Sequence, residues 1–323
     1  MAGVSKITAS RALAKPGLVT EATRQRVLEA VAQTGYVPNL LAGALRSNRT
    51  RLIACLVPTI GSGSVFMDAV QAMSEAFAAA GYQVMLGQRG YDPAQEEALI
   101  DAVVARRPDG SVLMGAAGTA AARARLGATG VPVVEAWDMP REPVDAVVGF
   151  APRKVGAAIA RFLHASGRRR VGLISTDEPR GAEREKGFLE AARRLGLVAS
   201  GQPLPSYRFA APSRLRHGRA GLQQLLAEEP QLDAVYCATD LVALGVVTEA
   251  RARGIAVPQR LAVVGFGDLD FAVDADPALT TVHIDSAGIG RRAAEMVVRR
   301  IEGEPVPERV VDVGFQLVER ATT

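Results

Sequence analysis

Two aspartates stand directly after strand-like runs in the second half of the chain, where a carboxylate can bind sugar hydroxyls or act in acid–base chemistry. They are Asp240, after the run AVYCAT, and Asp268, after VVGFG. No nucleophile motif or metal-ligand spacing accompanies them, which disfavours a hydrolase that uses a carboxylate pair. Three neighbouring acids are more typical of a solvated loop: Asp270, Asp274 and Asp276. We therefore expect Asp240 and Asp268 to face a ligand cleft.

An arginine and a tryptophan add chemistry suited to ligand recognition. Arg184 begins a helical stretch, AEREKGF, and its guanidinium can pair with a carboxylate or with vicinal hydroxyls. An ordinary surface arginine is the alternative, and composition alone favours it. Trp137, followed by Asp138, ends a strand-like run, where its ring can stack on a sugar or close the core.

The segment Gly61–Phe66, GSGSVF, lies between a strand-like run and a helical pattern, as a dinucleotide-binding loop does. The third glycine of that fingerprint is replaced by Phe66, and no acid closes the second strand, so a dehydrogenase is disfavoured. Ser62, Ser64 and Phe66 can instead meet an anionic ligand at the start of the helix. A plain Gly/Ser turn is an equal alternative.

The first residues suit DNA binding. In Gly3–Leu13, Ser5 is an N-cap for a short helix that carries Lys6, Thr8, Ser10 and Arg11. Hydroxyls, a helix N-terminus and an arginine can bind DNA phosphates and reach base edges. Alone, this pattern describes an ordinary capped surface helix equally well.

Charge is concentrated at the same end of the chain. Residues 1–51 carry eight Lys/Arg and two Glu, a net charge of +6, whereas the whole 323-residue chain carries +4. A basic end on a slightly acidic body indicates a polyanion-binding head.

The secondary structure predicted for the first 50 residues is helical. Thr20 caps a helix over about 21–34, which Gly35 ends, so two short helices form a helix-turn-helix whose first helix is almost absent. Pro38 marks a boundary. The apolar residues after it predict a short hinge helix, weakened by Gly43, which forms only when DNA or a partner holds it; a plain linker is the alternative.

From residue 51 strands and helices alternate, a pattern typical of α/β proteins with parallel sheets. The pattern restarts near residue 151, which predicts two similar lobes with a ligand cleft at the carboxyl ends of the strands. Eight strands are expected, at 52–58, 82–86, 110–114, 131–136, 144–148, 170–174, 234–237 and 261–264. Eight helices are expected between and after them, at about 65–80, 93–106, 118–128, 153–166, 182–195, 213–228, 240–253 and 287–302.

Several classes of protein are disfavoured. The three histidines are far apart, and Cys55 and Cys237 sit in apolar strand-like runs, so we expect buried thiols and neither a metal site nor a cofactor. No apolar run approaches a membrane span and no signal-peptide pattern is found, which predicts a cytoplasmic protein without membrane contact.

Taken together, the motifs resemble those of the lactose/galactose-repressor family of bacterial transcription regulators. The runs that carry the likeness are AGVSxxTxSRxL at 2–13, GYxPN at 35–39, PDG at 108–110, RxxGF at 184–188, DxxAxG at 240–245, VVGF at 263–266 and LTTV at 279–282. GYDPxxEE at 90–97, VPVVExxD at 131–138, VGF at 148–150 and DxGF at 312–315 are most similar to gluconate-utilisation repressors.

The resemblance implies an architecture. It is an α/β, two-lobe, periplasmic-binding-protein-like effector domain behind an all-α head that lacks its first helix. The head would be 1–38 and the hinge 39–50. The lobes would be 51–151 plus about 283–308, and 152–282 plus about 309–323.

The resemblance also implies roles for residues. Lys6 and Ile7 would read bases with support from Arg11, and Leu45, beside Ala42, would wedge into the minor groove. The full set of predicted DNA contacts is Ser5, Lys6, Ile7, Thr8, Ser10, Arg11, Asn39, Ala42, Leu45 and Arg46. The predicted effector contacts are Ser62, Ser64, Phe66, Trp137, Asp138, Phe150, Arg184, Asp240 and Asp268.

The chain departs from the family pattern at its front and in the cleft. Roughly one helix is absent before Ala2, and Gly267 and Trp137 stand where sugar-binding members often carry Asp. Fewer acids suit an effector that itself carries a carboxylate. The expectation is a dimeric repressor, not an enzyme, that binds a pseudo-palindromic operator and responds to a sugar or sugar acid such as gluconate. The alternative is a two-lobe ligand-binding protein without DNA function.

Overall fold

A computed structural model describes residues 1–14, 16–37, 49–61, 65–198 and 202–323. The chain divides into two compact units, residues 1–50 and 51–323. The predicted hinge residues Asn39, Ala42, Leu45 and Arg46, and Ser62 and Ser64 of the Gly/Ser segment, lie outside the described residues.

The first unit contains two helices, α1 (Lys6–Ala14) and α2 (Glu21–Thr34), with a short 3₁₀ turn at Pro16–Leu18. The Ser5 hydroxyl accepts the Thr8 amide at 3.1 Å, and the Thr20 hydroxyl accepts the Thr23 amide at 3.4 Å. Gly35 follows α2 in the left-handed region, with a φ of 62°. Both predicted caps and the predicted stop are therefore confirmed, because each depends only on local chemistry.

The second unit begins with a six-stranded parallel sheet in the order β11-β5-β4-β3-β1-β2. Its strands are β1 (Leu52–Val57), β2 (Gln83–Gln88), β3 (Gly110–Met114), β4 (Val133–Trp137), β5 (Ala146–Gly149) and β11 (Val310–Asp312). Its helices are α3 (Met67–Ala79), α4 (Pro93–Val104), α5 (Ala120–Gly127) and α11 (Ser286–Ile301).

Side chains of β1 alternate between the two faces of this sheet, as a strand requires. Ile53 and Cys55 pack in the core that also holds residues of α3 and α11. Ala54 and Leu56 pack in the separate core under α4 and α5. Helices on both faces explain why the strand is continuously apolar.

The second lobe contains a four-stranded parallel sheet in the order β7-β6-β8-β9. Its strands are β6 (Val171–Thr176), β7 (Ser206–Phe209), β8 (Ala234–Cys237) and β9 (Ala262–Val264). Its helices are α6 (Pro152–Ala165), α7 (Pro179–Arg194), α8 (Leu215–Glu228), α9 (Asp240–Ala252) and the single turn α10 (Phe271–Asp274). All eight predicted strands and all eight predicted body helices are present.

A small antiparallel pair, β10 (Thr281–His283) with β12 (Gln316–Val318), lies where the chain passes between the lobes. The predicted boundary that gave residues from about 309 onward to the second lobe is wrong for β11. Val310–Asp312 pairs with β5 and forms the edge of the first lobe's sheet. The last residues do reach the second lobe, where the Thr322 hydroxyl donates to the Val263 carbonyl at 2.7 Å.

None of the helices in the described parts of the chain combines the length and apolar composition that a membrane crossing requires. Cys55 and Cys237 are both buried and unpaired. Burial raises the pKa of the Cys55 thiol to about 12, so that thiol is not ionised at neutral pH.

Candidate functional site

A cavity of about 350 Å³ lies between the two lobes of the second unit. Its walls come from the carboxyl ends of parallel strands in both sheets, where ligands of open α/β sheets bind. The first lobe contributes Pro58, Thr59, Ile60, Gly61, Val65, Phe66, Gln88, Gly90, Tyr91 and Trp137. The second contributes Thr176, Glu178, Arg184, Ala211, Pro212, Ser213, Arg214, Thr239 and Phe266.

Arg184 is the buried cation of this cavity, with 5% of its surface exposed. Its Nη2 donates to the carbonyl of Ala238 at 3.3 Å, and its guanidinium carbon lies 4.3 Å from the centre of the Phe266 ring. Its Nε is buried and has no acceptor among the described residues. An unmet buried donor costs about 1–3 kcal/mol, so the site favours a ligand that brings an acceptor oxygen.

Aromatic rings connect the two lobes beside this arginine. Ring centres are 4.9 Å apart for Phe66 and Trp137, 5.6 Å for Trp137 and Phe150, and 5.9 Å for Phe150 and Phe266. Phe66, Trp137 and Phe266 line the cavity, whereas Phe150 is fully buried and does not. Trp137 has a φ of 84°, a rare conformation for a residue with a side chain, of the kind that clusters at functional sites.

Among the lining residues that the structure describes, three side chains are charged at neutral pH: Arg184, Arg214 and Glu178. Glu178 accepts a hydrogen bond from the Thr176 hydroxyl at 3.1 Å. With two cations against one carboxylate, this described part of the lining has a net charge of +1. A single negative charge on a ligand would balance it.

A buried ion pair supports the rim of the cavity near Gln88 and Tyr91. Arg89 donates to Glu96 at 2.6 Å and to the Met114 carbonyl at 2.9 Å. Glu96 also accepts the amide of Gly118 at 3.1 Å. The ends of β2 and β3 and the start of α4 are thereby held together behind the cavity wall.

The structure corrects the predicted ligand contact at Asp240. Its side chain is fully buried and does not line the cavity. One carboxylate oxygen accepts the Thr281 hydroxyl at 2.5 Å, and the other accepts the Leu269 amide at 2.8 Å. Burial raises the pKa of Asp240 to about 6, although these hydrogen bonds oppose the rise. The neighbouring Thr239 faces the cavity instead.

Three further predicted ligand contacts also lie outside the lining. Asp268, with a φ of 52°, pairs with Arg320 at 2.7 Å and His283 at 3.0 Å. Its carboxylate is therefore bound by side chains of the protein rather than directed at the cavity. Asp138 accepts the Ala116 amide at 3.4 Å. Phe150 packs behind Trp137. Of the nine predicted residues, the structure brings together Phe66, Trp137 and Arg184.

Most of the polar lining was not anticipated from the sequence. Gln88, Thr176 and Thr239 follow or end strands, so their position after strand-like runs was a usable signal. Tyr91 and Arg214 come from loops, where no periodicity indicates which way a side chain points.

In the first unit, four of the residues predicted to meet DNA are exposed on α1: Lys6, Ile7, Ser10 and Arg11. Ile7 has 61% of its surface exposed, so its side chain is accessible to a partner surface. Ser5 and Thr8 use their hydroxyls on each other, 2.9 Å apart. An exposed face of this composition suits contact with a nucleic acid.

Two parallel-sheet lobes around a cavity, with a separate basic helical unit before them, define a ligand-binding protein with a nucleic-acid-binding head. Comparison with known families agrees. The family described as "Periplasmic binding protein-like domain" matches residues 160–323, and "Bacterial regulatory proteins, lacI family" matches residues 1–39.

Relatives and solved structures point the same way. The chain is 36% identical over its whole length to the HTH-type transcriptional regulator GntR of Pseudomonas aeruginosa, of which it covers 93%. A lacI-family regulator from Silicibacter pomeroyi superposes with a TM-score of 0.90 at 33% identity, over 99% of this chain and 96% of that one. The regulator GntR of Chromobacterium violaceum superposes with a TM-score of 0.78 at 33% identity, over 84% and 98%.

The chain therefore belongs to the lacI family of bacterial regulatory proteins. It is a DNA-binding transcriptional regulator of that family, and its relatives are regulators rather than enzymes.

Proposed function

We propose that this regulator is a repressor whose operator affinity is controlled by a small sugar acid, gluconate or a close relative, bound between the lobes. The observation that carries the proposal is the buried Arg184 with an unmet donor, in a cavity whose charged lining sums to +1. A neutral sugar would leave that charge unbalanced inside a partly desolvated site.

The size and composition of the cavity support a small polyhydroxy ligand. Its volume lies near the lower end of the roughly 300–1,000 Å³ typical of small-molecule sites. Aromatic rings line one part of it, and the polar lining of Gln88, Thr176, Ser213 and Thr239 offers partners for hydroxyl groups. The likeness to gluconate-utilisation repressors noted in the sequence favours the same class.

Binding between the lobes gives a route to control of the head. A ligand that binds one arrangement of the lobes more tightly shifts the population toward it. In a symmetric dimer, this change would alter the spacing of two heads on a pseudo-palindromic operator. The dimer and the operator symmetry belong to the proposal.

Trp137, the sole tryptophan of the chain, lines the cavity and gives a direct binding assay. Gluconate should change its fluorescence in a saturable way, whereas glucose and sorbitol should not at the same concentrations. R184Q should weaken gluconate binding by about tenfold or more, the loss expected for a charge-assisted hydrogen bond. R161Q, at an exposed arginine of α6, is the matched control and should bind as the wild type does.

DNA binding is tested with the promoter region next to the gene. The protein should retard this DNA with an affinity that falls steeply as salt rises, since phosphate contacts release counterions. Gluconate should alter that affinity. Gluconate binding without any salt-dependent retardation would support the alternative, a two-lobe binder without DNA function. Binding of glucose in preference to gluconate would refute the sugar-acid effector.

A further inference from the structure

We infer that Arg214 is a second cation for the effector's carboxylate and that His217 is the positioning residue that holds it at the cavity wall. The inference rests on the proposed sugar-acid effector. It adds an orientation: the carboxylate faces the two arginines of the second lobe.

Arg214 reaches the cavity on a different element from Arg184. It ends the loop between β7, the edge strand of the second lobe's sheet, and α8, and residues 211–214 of that loop all line the cavity. Arg184 comes from α7. Both cations belong to the second lobe, whereas Gln88 and Tyr91 line the cavity from the first lobe. Both cations of the described lining therefore lie on the second lobe, which also contributes Glu178, and a carboxylate placed at the two arginines would balance the remaining positive charge.

The two arginines are held very differently. Arg184 is buried, with an aromatic ring against its guanidinium, whereas Arg214 is exposed and needs its backbone fixed to keep its side chain at the wall. Arg214 is the N-cap of α8. Its amide donates to Nδ1 of His217 at 3.2 Å, and the His217 amide donates to the Arg214 carbonyl at 3.0 Å.

The first of these bonds is one half of a capping box, the half in which the third helical residue reaches back to the N-cap amide. The imidazole is itself fixed, because it packs on the Phe209 ring with centres 4.2 Å apart. The end of β7 thus orients His217, and His217 fixes the backbone from which Arg214 extends.

The bond requires a neutral histidine, because Nδ1 accepts only when it carries no proton. Burial is the largest cause that lowers the pKa of His217, and the charges of Arg216 and Arg214 lower it further. Of the described residues, the charged groups that act on this imidazole are Arg216 and Arg214, and β7 presents the uncharged Phe209 ring to it. At neutral pH the imidazole is therefore an acceptor.

Arg216 provides a matched control for Arg214, because it is exposed, lies two residues away and does not line the cavity. In the Trp137 fluorescence titration, R214Q should weaken gluconate binding by about ten- to a hundredfold, as for loss of a charge-assisted hydrogen bond. R216Q should stay within about twofold of the wild type, since its charge is solvent-screened. Equal affinities for R214Q and R216Q would overturn the role of Arg214.

The positioning role is tested at His217. H217A should weaken gluconate binding, and H217Q should restore it, because glutamine at this helical position can accept the same N-cap amide. Wild-type affinity should fall as pH is lowered from about 6.5 to about 5, where the sugar-acid carboxylate with an ordinary pKa near 4 stays ionised. H217Q should bind equally across that range. A wild-type level of binding by H217A, or the same pH profile for H217Q and wild type, would overturn the positioning role.

Failure of the inference and failure of the proposed effector give different results. If wild-type protein shows no saturable response to gluconate, the proposed effector is wrong. If wild type binds and R184Q loses binding while R214Q does not, the effector stands and the second cation is refuted. Thermal unfolding of each ligand-free variant separates lost contacts from lost folding. R214Q changes an exposed side chain, and H217Q keeps a hydrogen-bond acceptor at its position, so both variants are expected to fold.

Discussion

The buried carboxylate of Asp240 should make the stability of the second unit depend on pH, and asparagine at this position should remove that dependence. Asp240 is fully buried and accepts one hydroxyl and one amide hydrogen bond. These bonds do not offset the loss of hydration, so the pKa of the carboxyl is raised from 3.8 to about 6. The native state therefore holds this proton more tightly than the unfolded chain does.

The sign and size of the effect follow from linkage. Below about pH 4 the carboxyl is protonated in both states, and its contribution to stability is fully present. As pH rises through about 6, the unfolded chain has already released the proton, and the free energy of unfolding falls. A pKa difference of about two units corresponds to roughly 3 kcal/mol at 1.36 kcal/mol per unit.

Urea unfolding followed by circular dichroism between about pH 4 and pH 8 measures this effect. The free energy of unfolding of D240N minus that of wild type should increase by about 3 kcal/mol across the range, because asparagine has no charge to bury. Other carboxylates cancel in the difference. D274N, at an exposed carboxylate of α10, should run parallel to the wild type. A parallel curve for D240N as well would refute the raised pKa.

Three further variants test other features. L45A should weaken operator binding in a retardation assay and leave gluconate affinity unchanged, as expected for a minor-groove wedge; equal loss of both would contradict that role. E135A should lower the free energy of unfolding by about 3 kcal/mol, because the buried Glu135 accepts two backbone amides and pairs with an arginine. G218A should lower the free energy of unfolding by about 2 kcal/mol or more, since an added Cβ would lie 2.0 Å from the Val242 carbonyl oxygen. Unchanged denaturant midpoints for E135A and G218A would contradict the packing described.

Local chemistry made much of the fold predictable. Ser5, Thr20 and Gly35 act within a few residues of themselves, so helix starts and stops could be read directly. Long alternation of apolar runs and helical periods likewise gave the two-lobe α/β architecture. The strands that were missed are β7, β10, β11 and β12, which have three or four residues each. Each of them includes polar or charged residues, whereas the equally short β5, β8 and β9 stand out as apolar runs.

The candidate site was harder to predict than the fold, because two adjacent residues can differ in whether they face the cavity. Thr239 and Asp240 both follow β8, and either could face the cleft. The decision is made by Thr281, 41 residues further along, whose hydroxyl binds the Asp240 carboxylate inside the lobe. Asp268 is likewise held outside the cavity lining by its ion pair with Arg320 and its hydrogen bond with His283. Such long-range partners leave no mark on the local pattern.

The position of β11 has a consequence for how this protein is made. The first lobe's sheet is complete only when Val310–Asp312 pairs with β5, and α11 must also pack on α3 before that lobe is closed. During translation, α1, α2, β1 to β5 and the entire second-lobe sheet emerge before the strand that completes the first lobe's sheet. The first unit therefore leaves the ribosome well before the first lobe of the second unit can be completed. A nascent chain paused before residue 310 would display an open sheet edge at β5, a surface for chaperones to protect.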